Sequence, residues 1–564
     1  MTQVSSESSV TATSALSQGR SRGTIPVLLV ALFVCAALFL FVSMGRAVGV
    51  YDEGIVLLGA LRVLVGDLIH RDFRANYGPG QFYVLAALFS AISPTVLVER
   101  AWDTAIRAGV ALLCYLIAAR LSSRVFAALA YLASLIWLAG FGFPGYPVFP
   151  ALLFTLASIY LLLPLYEGRF VAPGILTAGI AAGCGALFRY DLGLAAATAQ
   201  ALVTLAFLVS RPVAVQDRRQ TSLKFTALYI GGLAIPIVPV AAAYLLLGAL
   251  GDFWFDVVGG ARYYAATRGL PFPSINITTV PGLYSTAVYL PILIWAAATF
   301  CIFSTRRGSG GAEPEVTARR RIGTNWAALQ ILVLATVFFL KGCIRVSPIH
   351  MAPAILLSLL LLTVIAGPPL AKSRVAVALT CGSLLIAGCI TIAPLLYALY
   401  RADTNLRWLI RESGLAASYG SCHPPPGLER LACMDFDHDA LDAVRYVQSI
   451  TKPGDPLFVG TGRHDKIYIN DITFYFLAKR PTATKWHHFD PGLQTSATVQ
   501  AKMVAELKAK KPPIIVRDSR FDSAMEPNAS SKSSHVLILD QFIDANYRVA
   551  KNFGEIAVLT RVAD

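Results

Sequence analysis

The 564-residue sequence is 56% hydrophobic and only 14% charged, which excludes a single soluble globular domain and places most of the chain in lipid. A formal net charge of +15 would suit a nucleic-acid partner only if the excess were concentrated in a polar domain. Residues 401–564 carry 21 Lys/Arg against 19 Asp/Glu, so the excess sits in the apolar part, where it reads as a topology signal and implies no nucleic acid.

The N-terminal segment 1–24, Ser/Thr-rich with Arg20 and Arg22, is expected to be disordered and cytoplasmic. The apolar run that follows, Ile25 to Val42, ends without a small-residue cleavage site and reads as a retained anchor. Further apolar runs lie near 102–119, 125–141, 147–165, 172–188, 192–210, 225–249, 284–304, 326–340, 350–367 and 375–398. With the anchor they predict an α-helical polytopic membrane protein of about 11 transmembrane helices. The segment Phe82 to Val98, interrupted by Pro94, is either one more span or a helix lying in the interface. If it does not cross and the N-terminus is cytoplasmic, the inner loops hold 16 basic residues against five acids, and the outer loops up to residue 400 hold 11 against nine. That bias obeys the positive-inside rule, and counting Phe82 to Val98 as a span inverts every later loop. The segment is therefore read as interfacial. The domain division is a transmembrane part, 25–400, with an outer-face loop at 45–101, and an extracytoplasmic α/β domain, 401–564.

In that last domain LDAVRYVQSI and HVLILDQFIDANY have helical periodicity, whereas DPLFVG and PIIVRD read as buried strands after proline turns. His487 and His488 are adjacent, not spaced along one helix face, and read as a solvated loop more readily than as metal ligands. The domain is expected to cap the membrane site or to help hold an acceptor. Seven of nine cysteines lie in or beside apolar stretches; Cys422 and Cys433 leave a disulfide open if the domain is extracytoplasmic.

The first outer loop, VGVYDEGIVLLGALRVLVGDLIHRDFRANYGPGQF, gathers Asp52, Glu53, Asp67, Asp72, Arg62, Arg71, Arg74 and Tyr77 beside the membrane surface, where charges are costly unless used or paired. A carboxylate to deprotonate a hydroxyl and cations to steady a departing phosphate are what lipid-phosphate chemistry requires. GALFRYDLGL adds Arg189 and Asp191, a phosphate grip or a mutual pair, and LKGCIRVSPIHMAPA adds Lys341, Arg345 and His350. Arg262 and Arg268, with Tyr263 and Tyr264, either bind phosphate or stack on a sugar, or, the reading preferred here, are headgroup-belt residues.

The succession of a first helix, Tyr51-Asp52-Glu53-Gly54, Gly66-Asp67 and Tyr77-Gly78-Pro79-Gly80 resembles the first extracytoplasmic loop of GT-C superfamily glycosyltransferases, such as protein O-mannosyltransferases and lipid A aminoarabinose transferases. The resemblance implies a polyprenyl-phosphate sugar donor, a glycan, lipid or protein acceptor at the outer membrane face, and Asp52 as general base. It assigns substrate binding to Glu53, Arg74, Tyr77, Arg189, Asp191, Lys341, Arg345 and His350. The acid that many relatives carry in the second outer loop is missing from GFGFPGYPVFPALLF. No obligatory cofactor or metal is expected, a divalent metal being possible. The alternative is a transporter or flippase of a lipid-linked glycan, which would show charges in mid-span and two similar halves.

Overall fold

The computed structural model describes residues 24–142, 144–211, 215–304, 315–367, 373–413 and 426–562. The segment 1–23, Arg306, Arg307, Lys372 and Cys422 lie outside the described residues; Cys433 is disulfide-bonded. The chain opens with α1 (Thr24–Val42), the short α2 (Asp52–Leu64) and α3 (Pro79–Ala91), then α4 (Val96–Leu121), α5 (Arg124–Gly140), α6 (Val148–Tyr166), α7 (Ala172–Phe188), α8 (Tyr190–Val209) and α9 (Val215–Leu246). A broken stretch follows: α10 (Leu250–Trp254), one π turn (Phe255–Gly259), α11 (Ala261–Arg268) and α12 (Val280–Thr286). The helical part closes with α13 (Leu290–Ser304), α14 (Glu315–Gly342), α15 (Ala352–Ile365) and α16 (Arg374–Ser413).

Among the described residues, seven helices are long and apolar enough to cross a membrane, and four shorter apolar ones bring the set to eleven. These are the eleven runs read from hydropathy. The α3 helix has 13 residues, about 20 Å at 1.5 Å per residue, and the placement of the helices on either side of it decides whether it crosses. Arg100, in the first turns of α4, donates to the carbonyls of Gly45 (2.6 Å) and Ala47 (3.0 Å) just after α1. The chain thus leaves and re-enters the bundle at one end, and the 43–95 segment does not cross it.

Small residues set the helix spacing. A Cβ on Gly179 would lie 2.2 Å from the Tyr229 carbonyl oxygen, and one on Gly232 would lie 2.2 Å from that of Leu176, so α7 and α9 cross backbone to backbone. The Arg120–Glu167 pair (2.5 Å) and the Arg319 bond to the Gly168 carbonyl (3.4 Å) lie at the bundle end away from α2 and α3.

The C-terminal part carries α17 (His438–Ile450), α18 (Thr473–Ala478), α19 (Ala497–Lys510) and α20 (Ile538–Asn546), with strands β1 (Leu457–Thr461), β2 (Ile514–Asp518), β3 (Tyr547–Phe553) and β4 (Ile556–Arg561). The sheet order is β1-β2-β4-β3, with β1 and β2 parallel and the other pairs antiparallel. The segments read as strands and helices from periodicity occupy β1, β2, α17 and α20. Both faces of β1 are covered, which is why DPLFVG shows no alternation. The domain docks on the start of α2: the backbone N–H groups of Ile472 and Thr473 donate to the Val50 carbonyl at 2.9 and 3.1 Å, and the Thr473 hydroxyl to that of Gly49 at 2.8 Å. Gly54 sits under this contact, where a Cβ would meet Thr473 N at 2.8 Å.

Candidate active site

A cavity of ≈ 510 Å³ opens where the α2–α3 loop, the adjoining ends of α7, α8 and α14, the 255–268 stretch and the C-terminal domain meet. Its wall holds Asp52, Arg74, Tyr77, Arg189, Asp191, Lys341, Arg345 and His350, eight residues read from three separate stretches of sequence. The motif glycines explain part of this convergence. A Cβ on Gly78 would sit 2.1 Å from the Leu187 carbonyl oxygen, and the Gly78 N–H donates to the Phe188 carbonyl at 3.1 Å. YGPG thereby fits flat on the end of α7 and sets the Tyr77 ring 5.7 Å from the Arg189 guanidinium. Pro79 then opens α3, where its missing N–H costs nothing.

Asp52 stands half-buried in the cavity wall. The Tyr77 hydroxyl donates to Asp52 Oδ1 at 2.8 Å, and among the described residues nothing donates to Oδ2. Loss of solvation raises the Asp52 carboxyl above its ordinary value, partly opposed by the Tyr77 bond and the positive charge of Arg268. Burial and the neighbouring Asp52 push the Tyr77 phenol far above its own ordinary value, so it stays an O–H donor.

Glu53 is turned the other way. Its carboxylate accepts from Arg100 Nε (2.6 Å) and Nη2 (3.0 Å) and from the Gly49 N–H (2.6 Å), fully buried behind the cavity. One helical step separates it from Asp52, about 100° of rotation, and this takes it off the cavity face. The substrate-binding expectation for Glu53 is therefore replaced by an internal ion pair. Arg62 with Asp67 (2.7 Å) and Arg71 with Asp72 (2.8 Å) likewise pair with each other, outside the cavity wall.

Arg189 is the single extended residue between α7 and α8, and this break turns its side chain inward. Its Nε and Nη2 grip Asp191 at 3.0 and 2.8 Å, so the mutual pair exists and both members still face the cavity. Lys341 Nζ lies 3.6 Å from Asp191, the loosest contact among these cations. Arg345 is held by Glu526 of the C-terminal domain, at 2.9 and 2.5 Å. His350 contacts Ser347 Oγ at 2.7 Å; burial and the cations Arg345, Lys341 and Arg189 bring it down to about 3, so it is neutral.

Further wall residues come from the 255–268 stretch and from the C-terminal domain. Arg268, 5% exposed, and Tyr263 and Tyr264 line the cavity, correcting the headgroup-belt reading; the Arg262 side chain lies outside the described residues. The C-terminal domain supplies Tyr468 and Asp490. Asp490 accepts from Arg74 Nη1 (2.6 Å) and the Tyr51 hydroxyl (3.1 Å), with Arg268 3.6 Å away. Burial alone would raise its carboxyl, but Arg74, His488 and Arg268 outweigh that and hold it well below the carboxylate range. The expected solvated loop at His487-His488 is fully buried, and Arg74 Nη1 meets His488 Nε2 at 2.5 Å. In HHFDPG the paired histidines draw attention to metal spacing, whereas the residue that reaches the cavity is Asp490. Among the described residues no group of three or more His, Cys, Asp or Glu is assembled for a metal.

A broken-helix bundle with a charged cavity at one end and an α/β domain over it defines a polytopic membrane protein of the GT-C fold. The chain is similar over 96% of its length, and 99% of the other's, to apo ArnT from Cupriavidus metallidurans, at 15% identity and a TM-score of 0.51. It also aligns with an Archaeoglobus fulgidus oligosaccharyltransferase (12% identity, 87% and 69% covered, TM-score 0.48) and mycobacterial arabinofuranosyltransferase AftD (14%, 94% and 41%, 0.42). These likenesses concern fold alone. No protein-family model and no curated protein matches the sequence.

Proposed function

We propose that this chain is a membrane glycosyltransferase that moves a sugar from a polyprenyl-phosphate donor to a glycan, lipid or protein acceptor on the outer face of the cytoplasmic membrane. The observation that carries the reading is Asp52, oriented by Tyr77 with one oxygen free, in the same cavity as Arg189, Lys341 and Arg345. Asp52 Oδ2 takes the proton of the acceptor hydroxyl as its oxygen attacks the anomeric carbon with inversion. The bond from that carbon to the phosphate oxygen breaks, and the phosphate leaves with its charge met by Lys341, Arg189 and Arg345. Because the chain supplies these cations itself, the reading makes a divalent metal dispensable; transfer that stops on chelation and returns with metal would overturn that part.

The charge bias, 16 basic against five acidic residues at the inner loops, supports a cytoplasmic N-terminus, a transmembrane domain over 25–400 and an extracytoplasmic domain over 401–564. The transporter reading is disfavoured because the cavity charges lie at one end of the bundle. The test is transfer by purified protein from radiolabelled polyprenyl-phosphate sugars into membrane extracts, comparing wild type with Asp52→Asn. Full transfer by the variant removes Asp52 as base. Cysteine labelling at position 189 in intact cells checks the sidedness.

A further inference from the structure

Every cation on the cavity wall is already countered by a carboxylate of the chain. Arg189 and Lys341 share Asp191, Arg74 and Arg268 share Asp490, and Arg345 is matched by Glu526. A phosphate entering the cavity must displace one of these partners, and the three are not equally held. Asp191 sits in the first turn of α8, covalently two residues from Arg189. Asp490 accepts from Arg74 and Tyr51 together, and its own N–H donates to Gln494 at 2.8 Å. Glu526 instead rides on the 19-residue connection 519–537 between β2 and α20, which has only one short 3₁₀ turn, Ala529–Ser531.

The connection touches the membrane part through very few polar contacts. Glu526 grips Arg345 at 2.9 and 2.5 Å, and Asn528 Nδ2 donates to the Gly269 carbonyl and to Glu526 Oε2, both at 2.9 Å. They fall on a two-segment bridge in which Leu270 N–H donates to the Ile344 carbonyl (3.3 Å) and Val346 N–H to the Leu270 carbonyl (3.2 Å). That bridge carries both Arg268 and Arg345. Beside Glu526, Met525 is 71% exposed, and the bonds that hold the Glu526 backbone are local: its N–H donates to Ser531 Oγ at 2.7 Å and the Ser531 hydroxyl to its carbonyl at 2.8 Å, so the knuckle can move as a unit. Glu526 presents to Arg345 two oxygens in the geometry that a phosphate would present.

We propose that Glu526 is a displaceable counter-ion: the monoanionic or dianionic phosphate of a membrane lipid takes its place on Arg345, and the 519–537 segment then lifts from the cavity rim. The exchange couples occupancy by lipid phosphate to opening of the domain side of the cavity, so the lipid binds before the second substrate. The inference rests on the proposed lipid-phosphate reading of the cavity.

The experiment is hydrogen exchange and binding on the full-length protein in nanodiscs, with a polyprenyl monophosphate as probe and the uncharged polyprenol of equal length as control. The phosphate is expected to speed exchange over 519–537 and the alcohol to leave it unchanged. Glu526→Gln, which keeps shape and removes charge, should speed exchange without lipid and bind the phosphate about tenfold more tightly. Asn528→Ala should loosen the segment without altering the cavity charge. Phosphate binding with no change over 519–537, or weaker binding by Glu526→Gln, overturns the displacement while leaving the glycosyltransferase reading intact. No binding of the phosphate by wild type overturns both.

Discussion

The Tyr77 hydroxyl donates to Asp52 Oδ1 across 2.8 Å, joining two residues 25 apart, one in the first turn of α2 and the other in the loop that leads into α3. The bond fixes the carboxylate rotamer and leaves Oδ2 facing the lumen. It also lowers the Asp52 pKa against the rise imposed by burial.

That opposition gives the sharpest kinetic expectation. A base works ionised, so the rate falls as pH drops through the Asp52 pKa, which lies above its ordinary value. Asp52→Asn should lose about 10²–10⁴-fold in rate. Tyr77→Phe removes the lowering bond, so the acid limb of its kcat/KM profile should move to higher pH. An unmoved limb would show that Asp52 is not the titrating group.

Glu53 invites the opposite expectation. With Glu53 removed, Arg100, 1% exposed, loses both of its close carboxylate bonds and keeps only the 3.6 Å contact to the buried Glu99. Glu53→Ala should therefore cost about 3–5 kcal/mol of stability, read as a lower Tm, while the protein that does fold keeps near-native KM. A Glu53→Ala protein that melts normally but no longer binds donor would return this residue to the cavity.

How far the sequence led is visible in these two neighbours. Hydropathy and the loop charges located the eleven apolar helices and the end of the bundle that carries Asp52, because lipid imposes a long, contiguous signal on the chain. The Asp52 cluster was readable because charges at a membrane surface stand out. Whether Asp52 or Glu53 faces inward depends on about 100° of helix rotation and on where Arg100 sits, neither of which a dipeptide records. Asp490 and Tyr468 were illegible for another reason: polar residues in a polar domain carry no local anomaly, and only docking of the domain onto the α2–α3 loop gathers them.

Lys341 and Arg189 should separate by chemistry. Lys341, 3.6 Å from Asp191, is the least committed cation, so Lys341→Ala should raise the KM for the lipid donor by about tenfold with a smaller change in kcat. Arg189→Lys keeps charge but cannot make the two-pronged contact, and its loss should fall mainly on kcat if the grip tightens on the departing phosphate. Equal effects on kcat and KM from both substitutions would argue that they only shape the cavity.

His350 offers a check on stability. Its folded-state pKa is pulled from 6.5 to about 3, so folding favours the neutral ring. The sign follows directly: stability is fully present above about 6.5 and is lost as pH falls toward about 3, because the unfolded chain binds the proton first. His350→Gln should flatten the decline in Tm over that window, and the wild-type rate profile should show no limb near 6.5 from this residue. The decline unchanged in His350→Gln would assign it to other groups, of which His487 and His488 shift in the same direction.

Asp490 ties the two parts of the molecule together. It is the shared counter-ion of Arg74 from the α2–α3 loop and Arg268 from α11, and it accepts the hydroxyl of Tyr51, the residue before the proposed base. Asp490→Asn keeps the shape but leaves two buried guanidinium groups without a charge partner, which costs about 3–5 kcal/mol where a buried pair is broken. The loss should appear locally: faster hydrogen exchange over 485–495 and at the start of α2, and a lower transfer rate, with the membrane helices unaffected. Arg74→Met in the Asp490→Asn background should recover part of the stability by removing one orphaned charge, but not the rate. Additive losses in the double variant would mean that the two residues are not coupled through one ion pair.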